Sequence, residues 1–158
     1  MAESIIEQIA QAIVTKLKTI TAANGYANTV SEVVRPRRTG ENFHPADKGI
    51  SVLQDNAERE TSEDIVGNPP AIGWRQPFTI DLFLRHSEKN TVPMDQALNS
   101  FIADVQKALM ADVQWGGLAI RSDLGSVDYA EPSRGFEGAT VWIEVIYRVA
   151  ENDPYLRI

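Results

Sequence analysis

The sequence predicts a single α+β domain, in which one mixed or antiparallel β-sheet carries two α-helices packed on one face, together with long loops or a hairpin arm. Two segments have apolar residues at intervals of three and four, as amphipathic helices do, and others alternate apolar and polar residues, as strands do. The chain has 158 residues, which fits one hydrophobic core. Residues 1–158 are therefore predicted to form one domain.

The first predicted element is an amphipathic helix over residues 4–22. Its apolar positions recur every three or four residues: Ile6, Ile9, Ile13, Leu17 and Ile20. Ser4 followed by Glu7 is a capping-box pattern, and Asn24-Gly25 is a stop signal. A stripe of five large apolar side chains indicates that this helix packs on the rest of the domain.

Two strands are predicted next, over residues 29–35 and 48–54, with a polar loop at 36–49 between them. Residues 55–73 are rich in Glu, Asp, Asn, Pro and Gly. They are interpreted as a long loop or as a hairpin arm whose first strand covers residues 59–66. Connections of this length are uncommon in compact domains unless they carry function.

The second half of the chain is predicted to contain a strand, a second helix and two further strands. Residues 74–86 alternate as a strand, Pro93 opens a second amphipathic helix, and Trp115-Gly116-Gly117 is interpreted as its end. A further strand is predicted around residues 125–131, followed by a turn at 133–138 and a final strand at 139–150. The second face of that final strand is half apolar, so either a neighbouring subunit covers it or a few aromatic side chains are exposed.

The sequence contains few patterns that are typical of catalytic or metal-binding sites. The chain has no cysteine, and its two histidines, His44 and His86, lack a second ligand at a metal-binding spacing. Nucleophile-elbow, Walker and dinucleotide-binding motifs are absent from the sequence. The carboxylates of residues 58–64 leave open a small carboxylate-dependent enzyme or a divalent-cation site, although a solvated charged loop is the simpler interpretation. The prediction is a protein that is not an enzyme and uses no cofactor or metal.

The formal net charge of −7 argues against broad contact with nucleic-acid phosphates. Such a surface suits a wall past which DNA slides, and it is also what ordinary solubility requires. The sequence contains neither a signal-peptide pattern nor an apolar run long enough to span a membrane, so a cytoplasmic origin without membrane contact is expected.

The most concentrated positive charge lies in Arg35-Pro36-Arg37-Arg38. Arginine makes bidentate contacts with carboxylates, and the segment that follows is acidic. This suggests a head-to-tail contact in which the arginine loop of one subunit meets the carboxylates of the next, the kind of contact that builds rings. The alternative is a loop that serves only solubility.

The order of the predicted elements and several short sequence stretches, over nearly the whole chain, resemble those of a known family. They comprise the Glu-Gln-Ile-Ala start of the first helix, Lys-Gly-Ile-Ser-Val-Leu as second strand, the acidic loop and the strand at 78–84. They continue with the Pro93 helix before Trp-Gly-Gly-Leu, and with the last strand through Tyr147 to Asp153-Pro154-Tyr155. In these features the chain resembles the tail terminator proteins of long-tailed bacteriophages, also called tail-completion or minor tail protein U-like proteins.

The resemblance implies a structural virion protein without catalytic residues, assembled in the host cytoplasm. It would form a hexameric ring on the tail tube protein at the head-proximal end of the tail, stop tube growth and join a head-tail connector or head-completion protein. DNA would pass through its lumen without specific binding. A head-completion or connector protein of the same particle is the alternative within this class. From a different class, the alternatives are a carboxylate-dependent enzyme or a ligand-binding module.

The residues predicted to lie at interfaces are charged or aromatic side chains of the loops, exposed-face aromatics of the strands, and apolar side chains at the chain end. They are Arg35, Arg37, Arg38, Phe43, Glu60, Glu63, Asp64, Trp74, Trp142, Tyr155 and Leu156.

Overall fold

A computed structural model describes residues 2–36, 43–87, 91–133 and 135–158 of the chain. The chain folds as an α+β domain with one mixed six-stranded sheet and two α-helices, which confirms the predicted fold class. The helices are α1 (Ile5–Lys18) and α2 (Met94–Leu109). The strands are β1 (Glu32–Val34), β2 (Lys48–Gln54), β3 (Glu58–Arg59), β4 (Ala71–Arg85), β5 (Arg121–Ser133) and β6 (Phe136–Ala150).

The strand order is β1-β2-β4-β6-β5, and β3 pairs with β4 beyond the end of β2. The β1–β2 pair is parallel and all other pairs are antiparallel. At the centre, β4 and β6 pair along their full lengths, from Ala71 opposite Ala150 to Arg85 opposite Phe136. This ladder fixes the face on which each neighbouring side chain lies, because side chains alternate along a strand.

Both helices pack on one face of the sheet. The side chains between the two layers include Ile9, Ile13 and Leu17 of α1, Phe101 and Leu109 of α2, and Ile50, Phe78, Ile80, Leu82, Val141 and Ile143 of the sheet. Each fully buried Ile, Leu or Phe stabilises the fold by about 1.5–3 kcal/mol relative to exposure. The apolar stripes and strand alternation of the sequence therefore predicted most of this core correctly, although Ile6 is only partly buried and Ile5 takes its place in the core.

The predicted ends of the helices need correction. Helix α1 ends at Lys18 and not at residue 22. A separate 3₁₀ turn, Ala22–Asn24, follows, and Gly25 ends this turn and not the helix, with a φ of 83°. Ser4 does cap α1, at 3.4 Å from the Glu7 amide, but the Glu7 carboxylate binds Arg35 instead of completing the capping box. Helix α2 ends at Leu109, well before the turn at Trp115. Neither helix of the described residues has the length and apolar character needed to cross a membrane.

Several predicted strand boundaries also differ. The 48–54 strand is confirmed, whereas the 29–35 strand is limited to Glu32–Val34. The strand predicted at 74–86 begins earlier, at Ala71. The strands predicted at 125–131 and 139–150 extend to Arg121–Ser133 and Phe136–Ala150, so the predicted turn at 133–138 is much tighter.

The predicted strand at 59–66 is wrong. Glu58–Arg59 pair with β4, a 3₁₀ turn, Thr61–Glu63, follows, and Ile65 forms only an isolated bridge with Ala71. Strand β3 continues the line of β2 after a short interruption, since both run antiparallel to β4. The interruption lies opposite Pro77, which has no N–H for the ladder, and the buried side-chain amide of Gln76 donates to the Asp55 carbonyl at 2.6 Å.

One buried charge joins α2 to the turn after α1. The carboxylate of Asp104, on α2, is 7% exposed. It accepts from the amides of Ala27 at 3.3 Å and Asn28 at 2.8 Å, and from the Asn28 side chain at 2.8 Å. These contacts satisfy backbone donors that have no helical or sheet partner.

Replacing Asp104 by Ala leaves those donors without their acceptor, so we expect a loss of about 1–3 kcal/mol in the free energy of unfolding. Urea denaturation followed by circular dichroism measures it. The matched control is Asp128→Ala on the exposed strand β5, which should change stability by no more than about 0.5 kcal/mol. Equal effects of the two substitutions would contradict the role given to Asp104.

Candidate interaction surfaces

The face of the sheet opposite the helices, called here the second face, is covered at both ends by segments of the same chain. At one end lies the segment containing Phe43 and Pro45, and at the other lies the arm, defined here as residues 58–64. Trp142, a predicted interface residue, lies between them and is partly buried. The half-apolar face noted in the sequence is therefore partly covered without any neighbouring subunit.

Phe43 holds the first of these segments on the sheet. Its ring meets the ring of Phe83 edge-on at a centroid distance of 5.2 Å, and Phe83 meets Phe136 in the same way at 6.4 Å. A Cβ on Gly49 would lie 2.5 Å from the Pro45 side chain, so the segment can approach only because Gly49 lacks one. Phe43, predicted at an interface, belongs to this intramolecular aromatic cluster.

The middle of the second face is more polar. Trp142 lies opposite Thr79 in the β4–β6 ladder, and its Cβ would be 2.9 Å from a Cβ on Gly125, at a bulge in β5. Asp81 accepts from the Thr140 hydroxyl at 2.7 Å, and burial raises the pKa of Asp81. Trp142 thus lies half-buried in the middle of the second face.

The arm covers the other end through arginine–carboxylate pairs. Glu60 pairs with Arg75, from β4. Glu63 pairs with two arginines, at 3.1 Å from Arg121 of β5 and 2.5 Å from Arg148 of β6. The Glu63 carbonyl also accepts from Arg148 Nε at 2.6 Å, so the turn is held by main chain and side chain together.

Asp64 closes the arm on itself. Its carboxylate accepts from the Gly73 amide at 2.8 Å and from Arg59 at 2.9 Å. The Arg59 guanidinium lies 5.4 Å from the centre of the Trp74 ring, and Trp74 packs against the core. Asp64 and Trp74, both predicted at interfaces, are therefore bound to their own domain.

These pairs bear on the carboxylate-dependent enzyme that the sequence left open. The Ser62 hydroxyl, followed by Arg75, lowers the pKa of Glu60, and the Gly73 amide, followed by Arg59, lowers the pKa of Asp64. Both groups are held ionised, which suits ion pairing better than proton transfer near neutral pH. Among the described residues, no group of three or more His, Asp or Glu side chains is arranged to hold a metal ion.

The arginine loop can be placed only in part. Arg35 binds Glu7 of the same chain through both guanidinium nitrogens, at 2.7 and 3.2 Å. Arg37 and Arg38 lie outside the described residues. Because Glu60, Glu63 and Asp64 already have arginine partners in their own chain, a neighbour's arginines would have to displace those partners.

Six of the exposed apolar side chains gather at one end of the sheet, where β4 and β5 begin and β6 ends. This apolar end is defined by Ile65, Val66, Val113, Tyr155, Leu156 and Ile158. Val66 is 100% exposed, and Tyr155 and Leu156, both predicted at interfaces, are 54% and 49% exposed. Four backbone segments meet there, because Ile65 pairs with Ala71, Ala71 with Ala150, and the Ala150 amide donates to the Leu156 carbonyl at 2.9 Å.

The C-terminal segment is thus fixed by its backbone while its side chains point outward. The Ile5 amide, at the start of α1, donates to the Pro154 carbonyl at 3.3 Å. The sequence analysis predicted that Tyr155 and Leu156 of this segment lie at an interface. The backbone docks on its own domain, and the exposed side chains stay available to another protein.

Sequence reasoning missed the three arginines that hold the arm and the exposed pair Ile65 and Val66. Strand alternation gives a partial signal for Arg75 and Arg148, since both occupy positions opposite the core-facing residues. Their convergence with Arg121 depends on the pairing of β4, β6 and β5, which the sequence did not specify.

No known family model matches the sequence, and no curated protein has significant sequence similarity to it.

Gly73 allows the arm to pack closely on the sheet, because a Cβ there would lie 2.4 Å from the Glu60 carbonyl oxygen and 2.7 Å from the Glu63 Cβ. We expect Gly73→Ala to push the arm off the sheet. Trypsin should then cut after Arg59 faster than in the unmodified protein, as measured by mass spectrometry of the fragments. Gly138→Ala, also on a sheet strand but remote from the arm, is the control. Faster cutting in both variants would contradict the specific role of Gly73 in holding the arm.

The pKa of Asp64 gives a second test. A folded-state pKa below the unfolded value means that the contribution of Asp64 to stability is complete above the unfolded pKa and is lost as the pH falls through the folded one. We expect its carboxyl to titrate by NMR with a midpoint below 3.8, and the Gly73 amide signal to move with it. A midpoint at or above 3.8, or an unresponsive Gly73 amide, would contradict the contact.

Proposed function

We propose that the chain is a structural virion protein that terminates the tail of a long-tailed bacteriophage. In this proposal six copies form a ring on the finished tail tube, at the head-proximal end, after assembly in the host cytoplasm. The ring stops polymerisation of the tube protein and offers the surface that joins the head-tail connector or head-completion protein.

The observation that carries the proposal is the apolar end of the sheet. Six of the ten large apolar side chains that are exposed among the described residues belong to it. Exposed apolar side chains concentrated on one side of a small domain are typical of a protein–protein contact surface. A ring stacked on a tube needs such a surface on one of its axial faces, and this end of the domain fits that requirement.

The sheet edges and the net charge of the chain also support the proposed ring. Strand β5 is a long edge strand whose exposed side chains include Asp123, Asp128 and Glu131, and β1 is a short edge on the opposite side. Two different edges on one subunit suit a head-to-tail ring contact, because such a contact joins unlike surfaces. A net charge of −7 on each subunit suits a lumen through which DNA passes without binding.

Electron microscopy of tail tubes tests the proposal. Tube protein of the same phage is polymerised with and without the purified chain, and tube ends and lengths are recorded by negative stain. The proposal predicts a ring-shaped cap at one end and tubes that stop growing once capped. Uncapped tubes that elongate at the same rate with saturating protein would overturn the tail-terminator function.

Charges placed on the apolar end should prevent assembly without unfolding the domain, because the side chains there are already exposed. We expect Val66→Asp and Leu156→Asp to abolish capping of tubes while the thermal unfolding midpoint stays close to that of the unmodified protein. Val92→Asp is the matched control, because Val92 is 43% exposed at the opposite end of the domain. Loss of capping in the Val92 variant alone would assign the contact to the other end.

A further inference from the structure

Three arginines from adjacent strands converge on the second face beneath the arm. Arg75 of β4 and Arg121 of β5 both pair with Ile146 of β6, and Arg148 lies two residues further along β6, so all three side chains leave the same face. This group, called here the arginine site, lies beside Gly73, where the absence of a Cβ leaves room for a second backbone.

The sheet itself only partly neutralises the arginine site. Glu144 lies 3.8 Å from Arg75, and Asp123 lies 3.4 Å from Arg121. The shorter contacts go to the arm, where Glu60 binds Arg75 and Glu63 binds both Arg121 and Arg148. The two arm carboxylates are also the less exposed partners, at 14% and 15% side-chain exposure. The site is therefore built to enclose two carboxylates.

The arm is attached by polar contacts. None of the residues 55–70 is buried, and the apolar residues Ile65 and Val66 of this connection face solvent. The ion pairs of the arm weaken with salt, because mobile ions screen charges that lie at the protein surface. With no apolar anchor of its own, the arm can leave the arginine site without opening the hydrophobic core.

We propose that the arginine site binds an acidic peptide segment of a partner protein, and that the arm occupies the site in the free chain. The site recognises main chain as well as carboxylates. Glu58–Arg59 pair with β4, the Glu60 amide donates to the Gly73 carbonyl at 3.0 Å, and Arg148 binds the Glu63 carbonyl. These contacts favour a peptide that pairs with β4 and then turns, with two glutamates three residues apart, over an isolated phosphate or carboxylate.

Peptide binding at the arginine site goes beyond the tail-terminator function, and it does not depend on whether the chain forms a ring. A segment tethered to its own site has an effective concentration of about 1 mM, so an outside segment competes poorly until the arm is loosened. Weakening the arm while keeping the arginines should therefore reveal the site.

The experiment uses the full chain carrying Glu60→Gln and Glu63→Gln, and a fluorescent peptide with the sequence of residues 57–65 as the probe. Fluorescence polarisation should show at least about tenfold tighter binding to this double variant than to the unmodified chain, since its arm competes less. Adding Arg148→Gln to the double variant should remove binding, whereas adding Arg85→Gln should not, because Arg85 lies at the far end of β4. If circular dichroism shows that the double variant is unfolded, Glu63→Gln alone replaces it.

Three results would overturn the proposal. The first is equal binding by the double variant and the unmodified chain, or binding that survives Arg148→Gln. The second is that the double variant shows no binding up to about 1 mM peptide, which is about the effective concentration of the tethered arm. The third is tighter binding of a single-stranded DNA oligonucleotide than of the peptide, lost with Arg148→Gln, which would make the arginines a phosphate site.

Discussion

The paired strands β4 and β6 are the constraint on which the rest of the structure depends. Their antiparallel ladder runs without a register shift from Ala71 opposite Ala150 to Arg85 opposite Phe136. Since side chains alternate along both strands, this single register sends Phe78, Ile80, Val141 and Ile143 toward the helices and leaves Arg75 and Arg148 on the second face. A shift of one residue would exchange these two sets.

The two faces of the sheet are consequently covered by different physical means. On the first face, α1 and α2 exclude water from a continuous apolar core, which makes this side the source of most of the stability. On the second face, the chain uses an aromatic cluster around Phe43 at one end and the ion-paired arm at the other. The arm is thus the more easily detached element, and its arginine partners stay on the rigid central strands.

The helices and central strands could be predicted because their periodicity is a local property of the sequence. The boundaries of β5 could not, because an edge strand that is exposed over most of its length needs little apolar alternation. Register shifts after Leu124 and Ala130 disturb what alternation there is. The end of α2 was missed because Asp112 and the turn at Trp115 form a separate structure after the helix, in which Asp112 accepts from the Gly116 amide at 2.7 Å.

The candidate surfaces were harder to predict than the fold. Glu63 was singled out as an acidic residue, but its partners Arg121 and Arg148 lie 58 and 85 residues away in sequence. Tyr155 and Leu156 were predicted at an interface and are exposed, whereas their grouping with Ile65 and Val66 follows from backbone pairing around Ala71 and Ala150. Pairings across such distances depend on the strand order of the sheet, and the local sequence carries no signal for it.

Hydrogen exchange tests most directly the central claim that the apolar end contacts another protein in the assembled state. Amide exchange is compared between the isolated chain and the chain bound to tail tubes, with residues 86–87 and 91–93 at the opposite end as the internal reference. We expect slower exchange on assembly at residues 65–68 and 151–158, and little change in the reference. Unchanged exchange at the apolar end, with protection at the reference instead, would contradict it.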